Sequence, residues 1–131
     1  MLEKVNTINF PLTLLKLLKL STWHSQKALK LYNKNNAALF TTSEKNGLIG
    51  IHISKSFCEI LHLSVLPSFQ KKGIGSHMIR QVIDVNPQLE FIFAETDMDA
   101  VEFYRKFGFQ IIKLPTKFPN TIRFLCIYSI I

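Results

Sequence analysis

Seven consecutive residues, 70–76, have the composition of a loop that binds a phosphate group. They read Gln-Lys-Lys-Gly-Ile-Gly-Ser and lie between an apolar, strand-like run at 60–65 and a helical pattern that begins near His77. A helix N-terminus offers unpaired backbone N–H groups and the positive end of the helix dipole, and glycine lets the backbone approach an anion closely. The segment therefore predicts a site for a phosphorylated ligand, although two glycines would also fit a structural turn.

A second informative segment follows the next strand-like run along the chain. Residues 97–109 read Asp-Met-Asp-Ala-Val-Glu-Phe-Tyr-Arg-Lys-Phe-Gly-Phe. Helical spacing would place Asp97, Ala100 and Tyr104 on one face, where the small residue leaves room for a ligand. We expect Asp97 to cap this helix and Gly108 to end it.

The two segments together resemble those of the GNAT superfamily of N-acetyltransferases. Residues 70–75 match that family's Arg/Gln-x-x-Gly-x-Gly/Ala pyrophosphate loop, and residues 97–109 match its later Asn-x-x-Ala-x-x-Phe-Tyr-x-x-x-Gly-Phe helix. They occur in the family's order and at its spacing, and the resemblance extends over residues 37–113. It implies an acetyl-CoA-dependent N-acetyltransferase with a mixed α/β (α+β) fold. In that fold about six or seven mostly antiparallel strands carry helices on both faces, and two central strands splay apart at a bulge.

The resemblance also implies where acetyl-CoA, a co-substrate, would bind. Its pantetheine arm would pair with strand backbone near Ser64, where a bulge would open a slot for the thioester. Its pyrophosphate would lie on the N–H groups of the loop, and Asp97 stands where the family usually has Asn. The implied cofactor-binding residues are Leu63, Ser64, Val65, Gln70, Lys71, Lys72, Gly73, Ile74, Gly75, Ser76, Asp97, Ala100, Phe103 and Tyr104. No metal is expected, because no Cys/His grouping has ligand spacing.

Acetyl transfer to an amine needs a proton donor for the leaving thiolate, a base for the amine and a donor for the oxyanion. By resemblance these are Tyr104, whose ordinary pKa of about 10 keeps it protonated, Glu59 and the N–H of Val65. The alternative for Glu59 is a solvated carboxylate at a strand end. His62 titrates in a suitable range, but a regular strand would place it on the face opposite Glu59.

Three other side chains could contact substrate or react. Trp23 and His24 lie between two early helical patterns, in the region that forms the acceptor wall of the fold. The alternative is a Trp that anchors the helix pair. Cys58 would be a nucleophile only in a ping-pong reaction, and no histidine that would activate it is evident, so direct transfer is expected. An acyl-CoA-binding module with little or no catalysis is the alternative function.

The composition indicates one globular domain, residues 1–131. The chain is 47% hydrophobic and has only two cysteines, both in apolar runs, which favours a reducing, cytoplasmic setting without a disulfide framework. The net charge of +7 would suit acidic partners, but the lysines are dispersed and no nucleic-acid-binding motif occurs, so no nucleic acid is expected.

Two apolar segments bear on partners. Leu12–Leu20 is interrupted by Lys16 and Lys19 and is too short to cross a bilayer, so no membrane is expected, with a basic amphipathic anchor as the alternative. The tail at 122–131 is either a core strand or an edge through which a homodimer forms.

The elements that must position these residues follow the order β-α-α-β-β-β-α-β-α-β-β. The predicted strands are 5–10, 37–42, 48–54, 59–65, 89–96, 109–113 and 123–128, and the first three predicted helices are 12–19, 25–33 and 73–84. Asn46-Gly47 predicts a hairpin turn, and Phe103 and Phe107 are expected to form the core side of the last helix. Acceptor specificity would depend on the early helices and on the link 114–122, which holds Pro115 and Pro119.

Overall fold

The computed structural model describes residues 1–116, 118 and 121–131. Along the chain its elements are β1 (Leu2–Lys4), α1 (Leu12–Ser21), α2 (Ser25–Leu31), β2 (Ala37–Thr42), β3 (Gly47–Ser54), β4 (Phe57–Val65), a short 3-10 helix (Pro67–Phe69), α3 (Ile74–Val85), β5 (Phe91–Asp97), α4 (Val101–Phe107), β6 (Gln110–Lys113) and β7 (Arg123–Ser129). The strands form one sheet in the order β1-β2-β3-β4-β5-β7-β6. Among these described strands β4 and β5 are parallel neighbours and the other pairs are antiparallel. The predicted element order and mixed fold class are confirmed.

Helices cover both faces of this sheet. On the α1/α2 face, the apolar sides of those two helices, including Leu14, Leu17 and Ala28, pack into one buried cluster. On the α3/α4 face, residues such as Met78 and Val101 pack into a second, larger cluster. In α1, α3 and α4 the buried positions recur with the spacing of a single helical stripe, which packs that side of each helix against the sheet.

The two central parallel strands separate halfway along their length. The pairing of β4 with β5 runs from Phe57 opposite Phe91 to Ile60 opposite Ala94. Residues 61–65 continue β4 beyond that point, paired only with β3. The predicted splay is confirmed, and it leaves an open slot beside the second half of β4.

A β-bulge precedes this slot, but not where the sequence indicated. His62 lies opposite Gly50, whereas the following residue of β3 lies opposite Ile60. Leu61 is therefore the extra residue. The expected position near Ser64 is wrong by three residues, since the register is set by pairing with β3 rather than by β4's own sequence.

The N-terminal segment also departs from prediction, because 5–10 is not a strand. The side-chain oxygen of Asn6 accepts hydrogen bonds from the N–H groups of Ile8 (2.9 Å) and Asn9 (3.4 Å). This local turn competes with strand pairing. The first strand is the shorter β1. Val5 still belongs to the core through its buried side chain, and its N–H donates to the carbonyl of Leu39 at 2.8 Å.

The remaining connections bear on partners. The Asn46-Gly47 hairpin is confirmed, and the C-terminal strand β7 has β5 and β6 on its two sides, so the tail is not an edge for pairing with another subunit. In the link 114–122, Lys117, Pro119 and Asn120 lie outside the described residues, and with them part of the predicted acceptor loop. Within the described part of the chain, no helix has the length and apolar character to cross a bilayer.

Candidate functional site

The candidate cofactor site begins at the open side of β4. The N–H of Leu66 donates to the carbonyl of Asn46 at 2.9 Å, toward β3. Because successive N–H groups of a strand point to alternate edges, those of Val65 and Leu63 point away from β3 and into the slot. These backbone groups are free to pair with an extended ligand.

The side chain of Ser64 has a different role from its backbone. Its hydroxyl donates to the carbonyl of Leu17 at 2.7 Å and is buried under α1. This hydrogen bond ties α1 to β4 at the level of the slot. By the same alternation its N–H and carbonyl point toward β3, so Ser64 offers a cofactor no unpaired polar group of its own.

The loop 70–76 has the geometry of an anion-binding nest. Lys71 and Gly73 have φ angles of 63° and 82°, and left-handed residues within a turn bring successive N–H groups into a concave surface. α3 begins at Ile74, and no described side chain caps its N-terminus. Its first-turn N–H groups are thus left for an anion.

Two contacts tie this loop to the rest of the site. The side-chain amide of Gln70 donates to the carbonyl of Val65 at 3.0 Å, which links the loop to the end of β4. A Cβ added to Gly75 would stand 3.0 Å from two carbons of the Phe103 ring. Gly75 therefore lets α3 begin directly against α4.

Positive charge surrounds the loop. Lys71 and Lys72 belong to it, and the ammonium of Lys72 lies 5.6 Å from the centre of the Phe69 ring. A cleft of about 480 Å³ adjoins the loop on the side of the β2–β3 hairpin, and its lining includes Lys72 and Arg80 together with one carboxylate, Glu44. The arrangement suits an anionic ligand.

Asp97 organises the turn before α4 rather than the helix itself. Its Oδ1 accepts hydrogen bonds from the N–H groups of Asp99 and Ala100, both at 3.0 Å. The helix begins only at Val101, so the expectation that Asp97 shares a helical face with Tyr104 is wrong. Gly108 ends α4 as predicted, its N–H donating to the carbonyl of Tyr104 at 3.2 Å.

Tyr104 is more enclosed than its neighbours on α4. It is 5% exposed, and its ring meets those of Phe103 and Phe109 edge-on with centroids 5.2 and 5.1 Å apart. Phe103 and Phe107 pack against the core as expected but are only partly buried, whereas Val101 and Tyr104 are the buried residues of α4. The helix packs against both β6 and β7.

The Tyr104 hydroxyl is nevertheless free to act. Burial, with a smaller contribution from the Cys126 thiol, raises the pKa of Tyr104 above its ordinary value of 10.0, so the group keeps its proton. Among the described residues it makes no hydrogen bond, yet the only enclosed side-chain N or O atom without a partner there is Oε1 of Gln81. The hydroxyl therefore reaches accessible space and can donate to a ligand.

The bulge reverses the alternation of side chains along β4. Glu59 pairs with His52, and His62 pairs with Gly50. His52 and Gly50 are two residues apart on β3 and thus share a face, so their partners Glu59 and His62 share it too. The expectation of opposite faces is wrong because Leu61 is inserted between them. Both side chains lie on the α1/α2 face.

His62 is buried and held by a residue that sequence reasoning missed. Nδ1 of His62 and the hydroxyl of Tyr32, at the end of α2, form a hydrogen bond, with ring centroids 5.7 Å apart. Burial lowers the pKa of His62 below 6.5 and raises that of Tyr32. A Cβ at Gly50 would overlap the Tyr32 hydroxyl. In the sequence, a glycine inside an apolar strand was the one indication of this contact with Tyr32.

The other candidate groups take no part in this arrangement. Trp23 is 98% exposed, so the alternative in which it anchors α1 against α2 is wrong, and His24 beside it is exposed as well. Cys58 is fully buried, and burial together with Glu59 raises the pKa of its thiol to about 12, which removes the thiolate at neutral pH. Among the described residues, no group of three or more His, Cys, Asp or Glu side chains could hold a metal.

Comparisons with known proteins agree with this architecture. Residues 13–109 match the family described as Acetyltransferase (GNAT) family. A protein of Bacillus methanolicus, described as an uncharacterized N-acetyltransferase in the lysA 3′ region, is 33% identical over 82 residues. The match covers 59% of this chain and 68% of that protein.

Solved structures share the fold over almost the whole chain. An aminoglycoside 6′-N-acetyltransferase complexed with coenzyme A has a TM-score of 0.81 at 17% identity, covering 100% of this chain and 97% of its own. A GNAT family acetyltransferase from Elizabethkingia anophelis with acetyl-CoA bound has a TM-score of 0.74 at 17% identity, with 99% and 97% covered. The ribosomal-protein-S18-alanine N-acetyltransferase from Escherichia coli has 0.77 at 14%, with 99% and 93% covered.

Proposed function

Since this chain belongs to the acetyltransferase (GNAT) family, we propose that it transfers the acetyl group of acetyl-CoA directly to a primary amine of a small molecule or peptide. The observation that carries the proposal is the open slot beside β4, which ends at an uncapped helix N-terminus. We further propose that residues 1–131 act as one catalytic domain. The two buried free thiols fit a reducing compartment such as the cytoplasm.

The slot and the loop suit the two parts of acetyl-CoA. The outward N–H of Leu63 would pair with the pantetheine arm as an added strand, and Ser64 would contact that arm only through its main-chain atoms. The carbonyl of Val65 already accepts from Gln70, so its outward N–H would lie at the end of the arm, beside the thioester. The N–H groups of residues 71–76 would hold the pyrophosphate, with the two loop lysines adding charge. Gln70 would act indirectly, because its amide positions the loop against Val65.

The second segment would complete the cofactor site. Asp97 shapes the turn that presents Ala100, whose small side chain leaves space beside α4. The ring of Phe103 forms the wall against which the first turn of α3 rests. We propose these three residues and Tyr104 as cofactor contacts.

The chemistry requires two proton transfers on opposite sides of the slot. The thioester supplies an activated acetyl group. We propose that the N–H of Val65 stabilises the oxyanion and that the free hydroxyl of Tyr104 gives its proton to the departing sulfur. Glu59, on the α1/α2 face where the strands begin to diverge, would take, directly or through water, the proton whose loss converts the acceptor from an ammonium ion to a neutral amine. The buried Cys58 offers no second nucleophile, which supports direct transfer.

The second candidate is an acyl-CoA-binding module with little catalysis. The observation that favours this candidate is the burial of Tyr104, the proposed proton donor. The test uses two measurements on the whole chain. Thermal unfolding with and without 1 mM acetyl-CoA should show a rise in Tm, because a ligand that binds only the folded state stabilises it by about 2.7 kcal/mol at a hundredfold excess over Kd.

Release of free thiol from acetyl-CoA is then followed with a panel of amines: kanamycin, spermidine, phenethylamine and a peptide with a free N-terminal alanine. Turnover with any of them, confirmed by the acetyl mass increment on the amine, supports the enzyme. A Tm shift without turnover would favour the binding module, and the absence of any Tm shift would contradict both.

A further inference from the structure

We propose that His62, held by Tyr32, is an acid–base residue of the acceptor side and that its Nε2 receives the proton lost by the amine. The proposal rests on the proposed function and deepens it. It differs from the assignment of Glu59 alone, since it adds a titrating group that the regular alternation of β4 would have hidden. Tyr32 is a positioning residue in this arrangement.

The position of His62 along β4 is the first support. It lies two residues beyond the last pair of β4 with β5, Ile60 opposite Ala94, and so beside the slot rather than under the closed part of the sheet. The bulge at Leu61 turns it to the same face as Glu59. Pantetheine pairing uses the strand edge, so this face remains for the acceptor.

The hydrogen bond to Tyr32 is the second support, because it leaves one defined atom free. The proposed role uses the tautomer with its proton on Nδ1, in which that N–H donates to the hydroxyl oxygen of Tyr32 and the lone pair of Nε2 is the acceptor. Nε2 has no hydrogen-bond partner among the described residues, and it is not among the atoms enclosed without one. The ring is thus oriented at one nitrogen and accessible at the other.

The protonation state suits this role. Burial lowers the pKa of His62 below 6.5, so the ring is neutral and able to accept a proton at neutral pH. When it becomes charged, Nδ1–H continues to donate to the Tyr32 oxygen, which offsets part of the desolvation.

The proton balance of the reaction closes with these groups. The amine lone pair forms the C–N bond, and the C–S bond breaks with its electron pair going to sulfur. Tyr104 gives a proton to that sulfur, and Nε2 of His62 takes the surplus proton from nitrogen. Solvent then returns a proton to the Tyr104 oxygen and removes one from His62, so enzyme and charge are restored.

Few other titrating groups face His62. Glu59 and His52 lie on the same face of β4 and β3, Tyr32 closes it from α2, and Glu95 on the diverging part of β5 is paired with Arg123 at 3.3 Å. The lysines of the two covering helices, Lys16, Lys19, Lys27 and Lys30, are exposed. Substitution of single residues can therefore show which group produces a histidine-like midpoint in the pH dependence of kcat.

The experiment measures kcat against pH at saturating acetyl-CoA and saturating acceptor, using the fastest amine of the panel. The wild type should lose activity on the acid side with a midpoint below 6.5. His62→Gln should lower kcat by about 10²-fold and abolish that limb, with the KM for acetyl-CoA unchanged. Glu59→Gln should retain the limb.

Two further variants separate positioning from simple packing. Tyr32→Phe removes the hydroxyl, and Gly50→Ala displaces it without altering either ring, so both should lower kcat and shift the acid limb together. Tyr128→Phe is the matched control, because it removes the hydroxyl of a tyrosine whose side chain packs on the opposite face of the sheet. Its kcat and acid limb should equal those of the wild type. The Tm shift with acetyl-CoA shows that each variant is folded.

The outcomes separate this proposal from the proposed function. Wild-type turnover with an acid limb that survives in His62→Gln would overturn the role of His62 alone. If His62→Gln does not fold, an unshifted limb in both Tyr32→Phe and Gly50→Ala would overturn it equally. Absence of turnover by the unchanged protein with every amine would overturn the proposed function, and this inference with it.

Discussion

The ring of Phe103 rests against Gly75, where an added Cβ would lie 3.0 Å from two ring carbons. This contact joins the first turn of α3, which carries the nest, to α4, which carries Tyr104. The anion-binding loop and the proposed proton donor are therefore positioned by one interface rather than by two independent elements.

Gly75→Ala should disturb both ends of that interface. Forcing a methyl group against the ring should cost about 1 to 3 kcal/mol of unfolding free energy, measured by urea denaturation, and should weaken acetyl-CoA binding measured by calorimetry. The double variant Gly75→Ala, Phe103→Leu should recover part of the stability, because the smaller side chain makes room. Stability equal to wild type in Gly75→Ala would show that the contact is not restrictive.

Tyr104→Phe should separate catalysis from folding. The hydroxyl makes no hydrogen bond in the described part of the chain, so its loss should leave Tm nearly unchanged while kcat falls by about 10²-fold. The KM for acetyl-CoA should change little. Tyr128→Phe is again the matched control. Full turnover by Tyr104→Phe would show that Tyr104 is not the proton donor and that its ring only packs in the core.

The pH dependence on the alkaline side follows from the burial of Tyr104. Deprotonation would remove the proton donor, and burial raises the pKa of Tyr104 above 10.0. Activity that depends on its proton is therefore present below that pKa and lost only above it. We expect kcat to show no alkaline decline through pH 10 while circular dichroism remains native. A decline with a midpoint near pH 9 would mean that another group supplies the proton.

Cys58 should be inert in the native protein. Its pKa of about 12 leaves almost no thiolate at pH 8, and Cys126 is equally buried with its pKa raised by burial. Iodoacetamide at pH 8 should leave activity intact and label neither thiol until urea unfolds the chain, as followed by intact mass. Rapid labelling of Cys58 coupled to loss of activity would reopen a covalent acetyl-enzyme route.

Local patterns were sufficient for most of the fold. The apolar stripe of α1, the Asn46-Gly47 turn and the glycine at 108 each depend on residues within one turn of one another, and each was predicted correctly. The splay of the central strands followed from the family resemblance. Asn6 shows the limit even of local reasoning, since its side chain holds part of the predicted strand 5–10 in a turn.

Relationships that depend on distant pairing were out of reach. The bulge at Leu61 exists only in the register between β3 and β4, so no reading of β4 alone places His62 beside Glu59. The partner of His62, Tyr32, lies 30 residues earlier in the chain. The burial of Tyr104 likewise reflects how α4 packs against β6 and β7, which helical periodicity does not specify.

Two substitutions of Asp97 separate its role in shaping the turn from the effect of its negative charge on cofactor binding. Asp97→Asn keeps the side-chain oxygen that accepts from Asp99 and Ala100 and removes one negative charge beside the proposed cofactor site. Stability should change little, and acetyl-CoA should bind more tightly, most clearly at low salt, because its phosphates no longer face that carboxylate. Calorimetric titration at two ionic strengths measures both effects.

Asp97→Ala removes the acceptor as well as the charge. It should lose about 0.5 to 2 kcal/mol of unfolding free energy, as loss of a capping side chain does, and the disordered turn should offset any electrostatic gain in affinity. Opposite effects of the two substitutions on acetyl-CoA binding would establish that the carboxylate holds the turn at an electrostatic cost. Equal affinity in Asp97→Asn and wild type would instead place the phosphates beyond the reach of residue 97.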